Sequence, residues 1–127
     1  MERRPAIVIG SGPAGTATAL ALHRLDPGLA GDVLLLEKQR HPRPKVCAGG
    51  LIPAGRQWLA EHDVPFAVPH VTVDRARVVT PSRVVGHDER QLCYVIRRDE
   101  LDAALAAAVR ERGIAIAEQE PVVALER

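Results

Sequence analysis

The stretch Gly10-Ser11-Gly12-Pro13-Ala14-Gly15 decides the fold of this chain, because it joins two segments of different character. Before it, Ala6–Ile9 is a short, partly β-branched apolar run that is typical of a buried parallel strand. After it, the Ala- and Leu-rich residues up to Leu25 predict a helix that packs closely on a sheet. Residues 33–36 predict a second buried strand, closed by Glu37, so the segments together predict one βαβ unit.

Residues 10–15, called the glycine loop below, have the spacing Gly-x-Gly-x-x-Gly. The first glycine allows a tight turn, the second leaves room for a pyrophosphate, and the third lets helix and strand pack closely. The free N–H groups at the helix start bind phosphates, helped by the helix dipole. Ala19, four residues after Gly15, is another small residue expected on the helix face that meets the sheet.

Glu37 is the second half of this pattern, because dinucleotide-binding folds carry an acidic residue about 20 residues beyond the loop. A carboxylate there accepts hydrogen bonds from both hydroxyls of an adenosine ribose and repels a 2′-phosphate. The alternative is a glycine-rich turn in an unrelated α/β protein that binds no nucleotide. Nucleotide affinity that is untouched by Gly12→Ala would favour that alternative.

The rest of the chain predicts a mixed region followed by a helix and further strands. Asp99 is expected to cap the helix over residues 99–113, with Asp102 in a weaker form of the capping box, and Gly113 to end it. The other predicted elements are a short helix over 53–63, strands over 71–79 and 92–97 joined by a polar turn at 86–89, and strands over 114–117 and 122–125.

Composition excludes several classes of function. The chain has 127 residues, room for one modest domain, and a net charge of +1, which gives no case for a nucleic-acid partner. With 2% aromatic residues, it lacks stacking platforms for exposed bases. Its two cysteines have no metal-ligand spacing and are interpreted as reduced thiols. No window is apolar enough for a signal peptide or a membrane span, which predicts a cytoplasmic protein without a transmembrane segment.

Three further segments complete a resemblance to a known family. Residues 42–51, Pro-Arg-Pro-Lys-Val-Cys-Ala-Gly-Gly-Leu, resemble the Lys-x-Cys-Gly-Gly-Gly-Leu loop of geranylgeranyl reductases. Residues 94–102 are similar to that family's Arg-x-x-Phe-Asp helix start, and Leu-Leu-Glu-Lys at 35–38 fits its second strand. With the glycine loop, these segments resemble FAD-dependent oxidoreductases of the geranylgeranyl reductase and aromatic-hydroxylase type, in order and spacing over nearly the whole chain.

The resemblance implies a cofactor site but no catalytic residue. The glycine loop and Glu37 would hold the ADP half of FAD, Arg98 would reach its phosphate and ribityl region, and backbone near Val122 would lie by the adenine. The loop around Cys47 would lie near the flavin. The cofactor-binding residues implied in this way are Gly10, Gly12, Ala14, Gly15, Glu37, Lys38, Cys47, Ala48, Gly50, Arg98 and Val122. In the full family, NADPH or another donor would reduce the flavin, which would then reduce a double bond of an isoprenoid substrate.

Two departures from the family pattern stand out. Ala48 replaces a glycine, which reduces the freedom of the loop at positive φ. Members of the family also run to several hundred residues. We therefore expect residues 1–127 to form an incomplete N-terminal FAD-binding region without the substrate domain. The predicted fold class is α/β, a Rossmann-like FAD-binding βαβ unit with an added β-hairpin, and an uncovered sheet edge predicts weak stability, self-association or a partner chain.

Several alternatives remain open from the sequence. The chain could belong to an aromatic monooxygenase or halogenase with the same opening, to an NAD-binding module, or to a non-catalytic truncated nucleotide-binding module. The Cys47 loop and Arg98 argue against the NAD-binding module, which needs neither. Cys47 is equally well interpreted as a flavin-side thiol and as a small buried hydrophobe. Arg98 either meets a phosphate or is balanced by Asp99 or Glu100.

Overall fold

A computed structural model describes residues 6–126, which divide into two compact units. The first unit spans Met1–Lys45 and Asp99–Arg127, and the second spans Val46–Arg98. None of the helices within residues 6–126 has both the length and the apolar character needed to cross a membrane. The strands are β1 Ala6–Ile9, β2 Val33–Glu37, β3 Gly50–Leu51, β4 His70–Thr80, β5 Arg83–Ile96 and β6 Ala115–Glu118, and the α-helices are α1 Pro13–Leu25, α2 Pro53–Glu61 and α3 Arg98–Glu111.

The first unit contains the predicted βαβ unit. β1 and β2 are parallel, with Ala6 opposite Val33 and Ile9 opposite Leu36. α1 is the crossover between them and is followed by a 3₁₀ turn over Pro27–Asp32. The Asp26 side chain accepts a hydrogen bond of 2.9 Å from the N–H of Gly28 and so caps this turn. The predicted strand, helix and strand are confirmed at these positions.

β6 extends this sheet on the other side of β2, in the order β1-β2-β6, and all three strands are parallel. The preceding helix α3 ends at Glu111 and is followed by Gly113, whose φ of +78° is accessible to glycine at little cost. The N–H of Gly113 donates to the carbonyl of Arg110, which closes the last turn. The predicted strand over 122–125 is wrong, because those residues belong to no strand.

The core of the first unit is made of small and aliphatic side chains. Ala19 on α1 is completely buried, as expected for the face that meets the sheet. One face of α3 is also buried, and it carries Leu101, Leu105, Ala108 and Val109. The buried residues of α1, β2 and α3 are Thr16, Ala19, Leu20, Val33, Leu35, Glu37, Leu101, Asp102, Leu105, Ala106, Ala108 and Val109.

The second unit is an antiparallel sheet in the order β3-β5-β4, with α2 outside it. The predicted turn at 86–89 is wrong, because these residues lie inside β5 and the hairpin turns at residues 81–82. Both faces of the outer hairpin are exposed, so its sequence lacks the alternation of apolar and polar residues that marks a half-buried strand. Its polar residues therefore had the composition of a turn without forming one.

The few aromatic residues of the chain are concentrated in the second unit. The Arg56 guanidinium carbon lies 4.0 Å from the centre of the Tyr94 ring, and the His70 ring stacks on Tyr94 at 4.2 Å. The centre of the Phe66 ring lies 5.1 Å from that of His70. Arg56 also donates to the carbonyls of Leu51 and, at 2.8 Å, Gln91, so one side chain ties α2 to β3 and β5.

Candidate nucleotide-binding site

The glycine loop leaves the end of β1 in a turn that needs glycine at two positions. Gly10 has a φ of +91°, and its N–H donates a hydrogen bond of 2.8 Å to the carbonyl of Leu36 on β2. A Cβ atom on Gly15 would lie 1.9 Å from the carbonyl oxygen of Gly10 and 3.3 Å from the Val8 side chain. The third glycine therefore lets α1 start directly against the end of β1, as its position in the motif predicts.

The start of α1 has the properties of an anion site. Gly12 is the N-cap residue and has no side chain to cap the helix, and Pro13 occupies the first turn. No acidic residue lies in that turn, so no carboxylate on α1 offsets the positive end of the helix dipole. The N–H groups of Ala14 and Gly15 therefore have no side-chain cap from Gly12, which is the arrangement that phosphate groups bind.

Glu37 closes β2 directly beside this loop. Its side chain is almost completely buried, and its Oε2 accepts hydrogen bonds from the N–H of Ser11 at 3.0 Å and from the Ser11 hydroxyl at 2.8 Å. Its Oε1 accepts a hydrogen bond of 3.0 Å from the N–H of Gln39. Burial alone would raise the pKa of Glu37, but these hydrogen bonds and the charge of Arg43 outweigh it and lower the pKa to about 2. The group is therefore a carboxylate throughout the physiological pH range.

Two charged residues behind Glu37 were not among the predicted site residues. Arg43 is buried, with its Nε 3.4 Å from Glu37 Oε2 and its Nη1 3.3 Å from Asp102 Oδ2. Asp102 is completely buried. Predicted as a capping residue, it instead lies on the inner face of α3, as its spacing of three from Leu105 and seven from Val109 indicates. That spacing was the signal that could have identified it.

His41 joins the same network from the loop after β2. Its Nε2 lies 2.7 Å from the Ser11 hydroxyl. Because that hydroxyl donates its only proton to Glu37, the arrangement favours a proton on Nε2 of His41. Nδ1 of His41 is buried and has no hydrogen-bond partner among the described residues. Burial, followed by the charge of Arg43, lowers the pKa of His41, so the neutral ring is favoured.

The backbone of His41 is anchored separately. Its N–H donates a hydrogen bond of 3.0 Å to Oε1 of Glu118 at the end of β6. Arg110 of α3 donates to the same oxygen at 2.7 Å. Although burial opposes it, these contacts lower the pKa of Glu118. The loop after β2 is therefore attached to both β6 and α3.

The structure brings some predicted site residues together and leaves others apart from them. Gly10, Gly12, Ala14 and Gly15 lie on the glycine loop of the first unit, and Glu37 is hydrogen-bonded to Ser11 of the same loop. Lys38 and Val122 also belong to that unit; Lys38 is exposed, and Val122 is 37% exposed and lies outside any strand. The other predicted residues, Cys47, Ala48, Gly50 and Arg98, belong to the second unit.

The loop of small residues at 47–50 in the second unit differs from expectation in two respects. Cys47 is exposed, so its interpretation as a buried hydrophobe is wrong. Ala48 does not have a positive φ; the residue that does is Gly49, with φ +79° and no space for a Cβ, which would lie 2.1 Å from the carbonyl oxygen of Ile96. Alanine at position 48 therefore causes no strain of the expected kind.

Arg98 is the first residue of α3 and is half-buried. The helix therefore begins one residue before the predicted cap, and Asp99 lies within its first turn with Glu100. The Asp99 carboxylate accepts a hydrogen bond of 3.1 Å from the N–H of Glu100. Both acidic residues are favourable beside this helix N-terminus, and the two explanations offered for Arg98, a phosphate partner or an acidic neighbour, stay open.

The residues of the first unit fit the ADP half of FAD by the chemistry of their donors and acceptors. The uncapped start of α1 suits a pyrophosphate, and an ionised carboxylate one loop away suits ribose hydroxyls. The fold of this region is a βαβ unit of the Rossmann type.

Comparison with solved structures identifies the class of protein that has this fold. A geranylgeranyl bacteriochlorophyll reductase-like protein from Thermoplasma acidophilum matches 94% of this chain with a TM-score of 0.76 and 27% identity. A flavoprotein/dehydrogenase from Cytophaga hutchinsonii matches 93% with a TM-score of 0.71 and 22% identity. The flavin-dependent halogenase CmlS matches 99% with a TM-score of 0.67 and 25% identity. No protein-family model matches the chain, and no curated protein has significant sequence similarity to it.

The resemblance predicted from the sequence is therefore confirmed. The chain has the α/β fold of FAD-dependent flavoproteins, and its structural neighbours include a geranylgeranyl reductase-like protein. FAD is the cofactor that these neighbours support. The chain spans 30% of the length of the first two neighbours and 24% of the third.

Proposed function

We propose that residues 1–127 are the N-terminal FAD-binding region of a flavin-dependent oxidoreductase. The observation that carries the proposal is the direct hydrogen bond between the glycine loop and an ionised Glu37. It brings an anion-binding helix start and a hydroxyl-binding carboxylate into one site. The two groups match the two polar parts of an ADP moiety, the pyrophosphate and the ribose.

In this site, each residue has a separate task. The N–H groups of Ala14 and Gly15 at the start of α1 bind the pyrophosphate, and Gly12 leaves space for it. Glu37 accepts hydrogen bonds from the adenosine ribose. The backbone near Val122 lies towards the adenine, and Lys38 is a further cofactor-binding residue. Bound FAD supplies the hydride chemistry, while these residues hold its ADP half in place.

For the second unit, taken by itself, we propose residues that contact the flavin half of FAD. Arg98 pairs with the FAD phosphate and ribityl region, and the backbone of Cys47, Ala48 and Gly50 lies near the flavin. The sequence pattern of the family and the exposure of the loop support these roles. For the first unit, the hydrogen-bond geometry of Glu37 supports its proposed role in binding the ribose.

For the substrate, we propose an isoprenoid double bond, reduced by the flavin, with NADPH as the donor. The Cys47 loop, the Arg98 helix start and the 27% identity to a geranylgeranyl bacteriochlorophyll reductase-like protein support the isoprenoid substrate. The alternative is an aromatic monooxygenase or a halogenase, favoured by the 25% identity to a flavin-dependent halogenase. Both assignments predict FAD binding by this chain and differ in the substrate and in the reaction of the reduced flavin.

The test is a titration of FAD with the purified chain, followed by flavin fluorescence and the visible band. Quenching and a shifted band are the expected result, and NAD should bind much more weakly. Gly12→Ala should weaken FAD binding at least about tenfold. Its backbone, at φ −74° and ψ −175°, is one that any residue adopts, so the variant should still fold.

The matched control is Gly31→Ala, since a Cβ at Gly31 meets nothing within 4 Å. This variant should bind FAD as the natural chain does. Binding of NAD but not FAD would indicate an NAD-binding module instead. If neither FAD nor NAD binds, a non-catalytic module is the remaining interpretation. Unchanged affinity for FAD in Gly12→Ala would refute the assignment of the glycine loop.

A further inference from the structure

Arg43 lies between two buried carboxylates that come from different elements of the first unit. Its Nη1 is 3.3 Å from Asp102 Oδ2 on α3, and its Nε is 3.4 Å from Glu37 Oε2 at the end of β2. Arg43 and Glu37 are almost completely buried, and Asp102 is completely buried. Charges in such surroundings are retained only where they are paired, so the guanidinium compensates both carboxylates.

The position of this cation matters because few acceptor sites of Glu37 are left. Ser11 donates twice to Oε2, and Gln39 donates once to Oε1. A carboxylate has about four acceptor sites, so roughly one remains for an added donor without rearrangement. The rotation of the carboxylate then decides whether this site faces a ligand. Arg43 approaches Oε2, the oxygen that also accepts from Ser11, and therefore opposes a tilt of the carboxylate that would move this oxygen away from the glycine loop.

Arg43 itself depends on Asp102. Its Nε is buried and makes no hydrogen bond within residues 6–126, although it lies within ion-pair distance of Glu37. The contact with Glu37 is thus electrostatic, without hydrogen-bond geometry to fix the guanidinium. Asp102, on the rigid helix α3, is the other charged group that holds it.

We infer that Asp102, acting through Arg43, positions the Glu37 carboxylate for a ribose hydroxyl and so sets the selectivity of the site for ribose over deoxyribose. The inference rests on the proposed function, in which Glu37 binds the ribose of an ADP moiety. Asp102 and Arg43 are positioning residues and touch no ligand in this scheme. An α3 residue predicted only as a helix cap then contributes to nucleotide selectivity.

The experiment compares binding of ADP and 2′-deoxy-ADP by calorimetry. The natural chain should prefer ADP about tenfold or more, the usual size of a lost hydrogen bond to a charged group. In Asp102→Asn, the preference should fall to within about threefold, because Arg43 is no longer held against Glu37. Glu111→Gln is the matched control, an exposed acid-to-amide change on the same helix, and should keep the full preference.

A double variant, Arg43→Met with Asp102→Leu, separates positioning from stability. Removing both charges together leaves neither of them buried and unpaired, so the chain should fold, while Glu37 loses its support. The preference for ADP should fall as in Asp102→Asn. Arg43→Lys keeps the charge without the planar guanidinium and should give an intermediate preference.

The outcomes distinguish this inference from the proposed function. If the natural chain binds neither ADP nor 2′-deoxy-ADP, the proposed function fails. If it prefers ADP and the double variant folds with the same preference, Asp102 and Arg43 are structural only and the inference is overturned. A double variant that binds both nucleotides more weakly by the same factor would also overturn the inference.

Discussion

The backbone N–H of Ser11 lies 3.0 Å from Oε2 of Glu37 and donates a hydrogen bond to it. This contact joins the second residue of the glycine loop to the last residue of β2, which are 26 positions apart in the chain. It orients the carboxylate relative to the start of α1. The phosphate-binding and ribose-binding parts of the proposed site are therefore fixed to each other by the backbone.

The close approach of α1 to β1 predicts a large effect of a single methyl group. Gly15→Ala would place a Cβ 1.9 Å from the Gly10 carbonyl oxygen, so the helix must shift. We expect the free energy of unfolding to fall by about 1–3 kcal/mol or more, as for other overpacked positions. Urea denaturation followed by circular dichroism measures this change. Gly31→Ala, where the Cβ meets open space, should change it little; equal losses in both variants would contradict the close packing.

The low pKa of Glu37 predicts a loss of stability in acid. The pKa of the carboxyl falls from 4.5 to about 2 on folding, so its contribution to stability is complete above about pH 4.5 and is lost as the pH falls towards 2. The shift corresponds to a contribution on the order of 3 kcal/mol. Glu37→Gln should thus destabilise the chain at pH 7 and have a much smaller effect near pH 2.5. Denaturation at a series of pH values tests this.

Glu111→Gln is the control for the acid series, because Glu111 is exposed. It should leave both the stability and its pH dependence close to those of the natural chain. A difference between Glu37→Gln and the natural chain that stays constant from pH 7 to pH 2.5 would show that the Glu37 carboxyl does not titrate as described.

The loop of small residues at 47–50 in the second unit predicts losses of stability that differ in size between adjacent positions. Gly49→Ala combines a positive φ with a Cβ 2.1 Å from the Ile96 carbonyl oxygen and should cost about 1–3 kcal/mol of stability. Gly50→Ala should cost far less, because its Cβ meets nothing within 4 Å. Ala48→Gly should lower stability by about 0.4–1 kcal/mol by adding freedom to the unfolded chain. A gain in stability would mean that Ala48 is strained; thermal unfolding measures all three variants.

The free edge of β1 predicts self-association of this chain. Within residues 6–126, β1 pairs only with β2, and the side chains of Ile7 and Ile9 are 53% and 54% exposed on one face. Ile7→Thr with Ile9→Thr should shift the chain towards the monomer in sedimentation velocity experiments. Leu25→Thr, an exposed apolar residue at the end of α1, is the control and should leave association unchanged. A natural chain that stays monomeric at high concentration would contradict the prediction.

Local pattern was sufficient to predict the βαβ unit. The glycine spacing, the apolar runs and the Ala-rich helix each depend on residues close together in the chain, and the observed β1, α1 and β2 agree with them. The hairpin turn was misplaced at 86–89, because an exposed ribbon has no buried face to impose alternation on its sequence. The strand predicted over 122–125 failed for a related reason, since apolar residues form a strand only where a neighbour pairs with them.

The sequence by itself determined the glycine loop, the acidic end of β2 and the class of cofactor that they suit, because these features follow from backbone conformation and residue spacing. Only the tertiary structure decided what surrounds Glu37. Ser11, His41, Arg43 and Asp102 come from three separate segments, and their side chains meet only when the loops and α3 pack on the sheet. Hydrogen bonds and charges act over a few ångströms in space, a distance that sequence spacing does not encode.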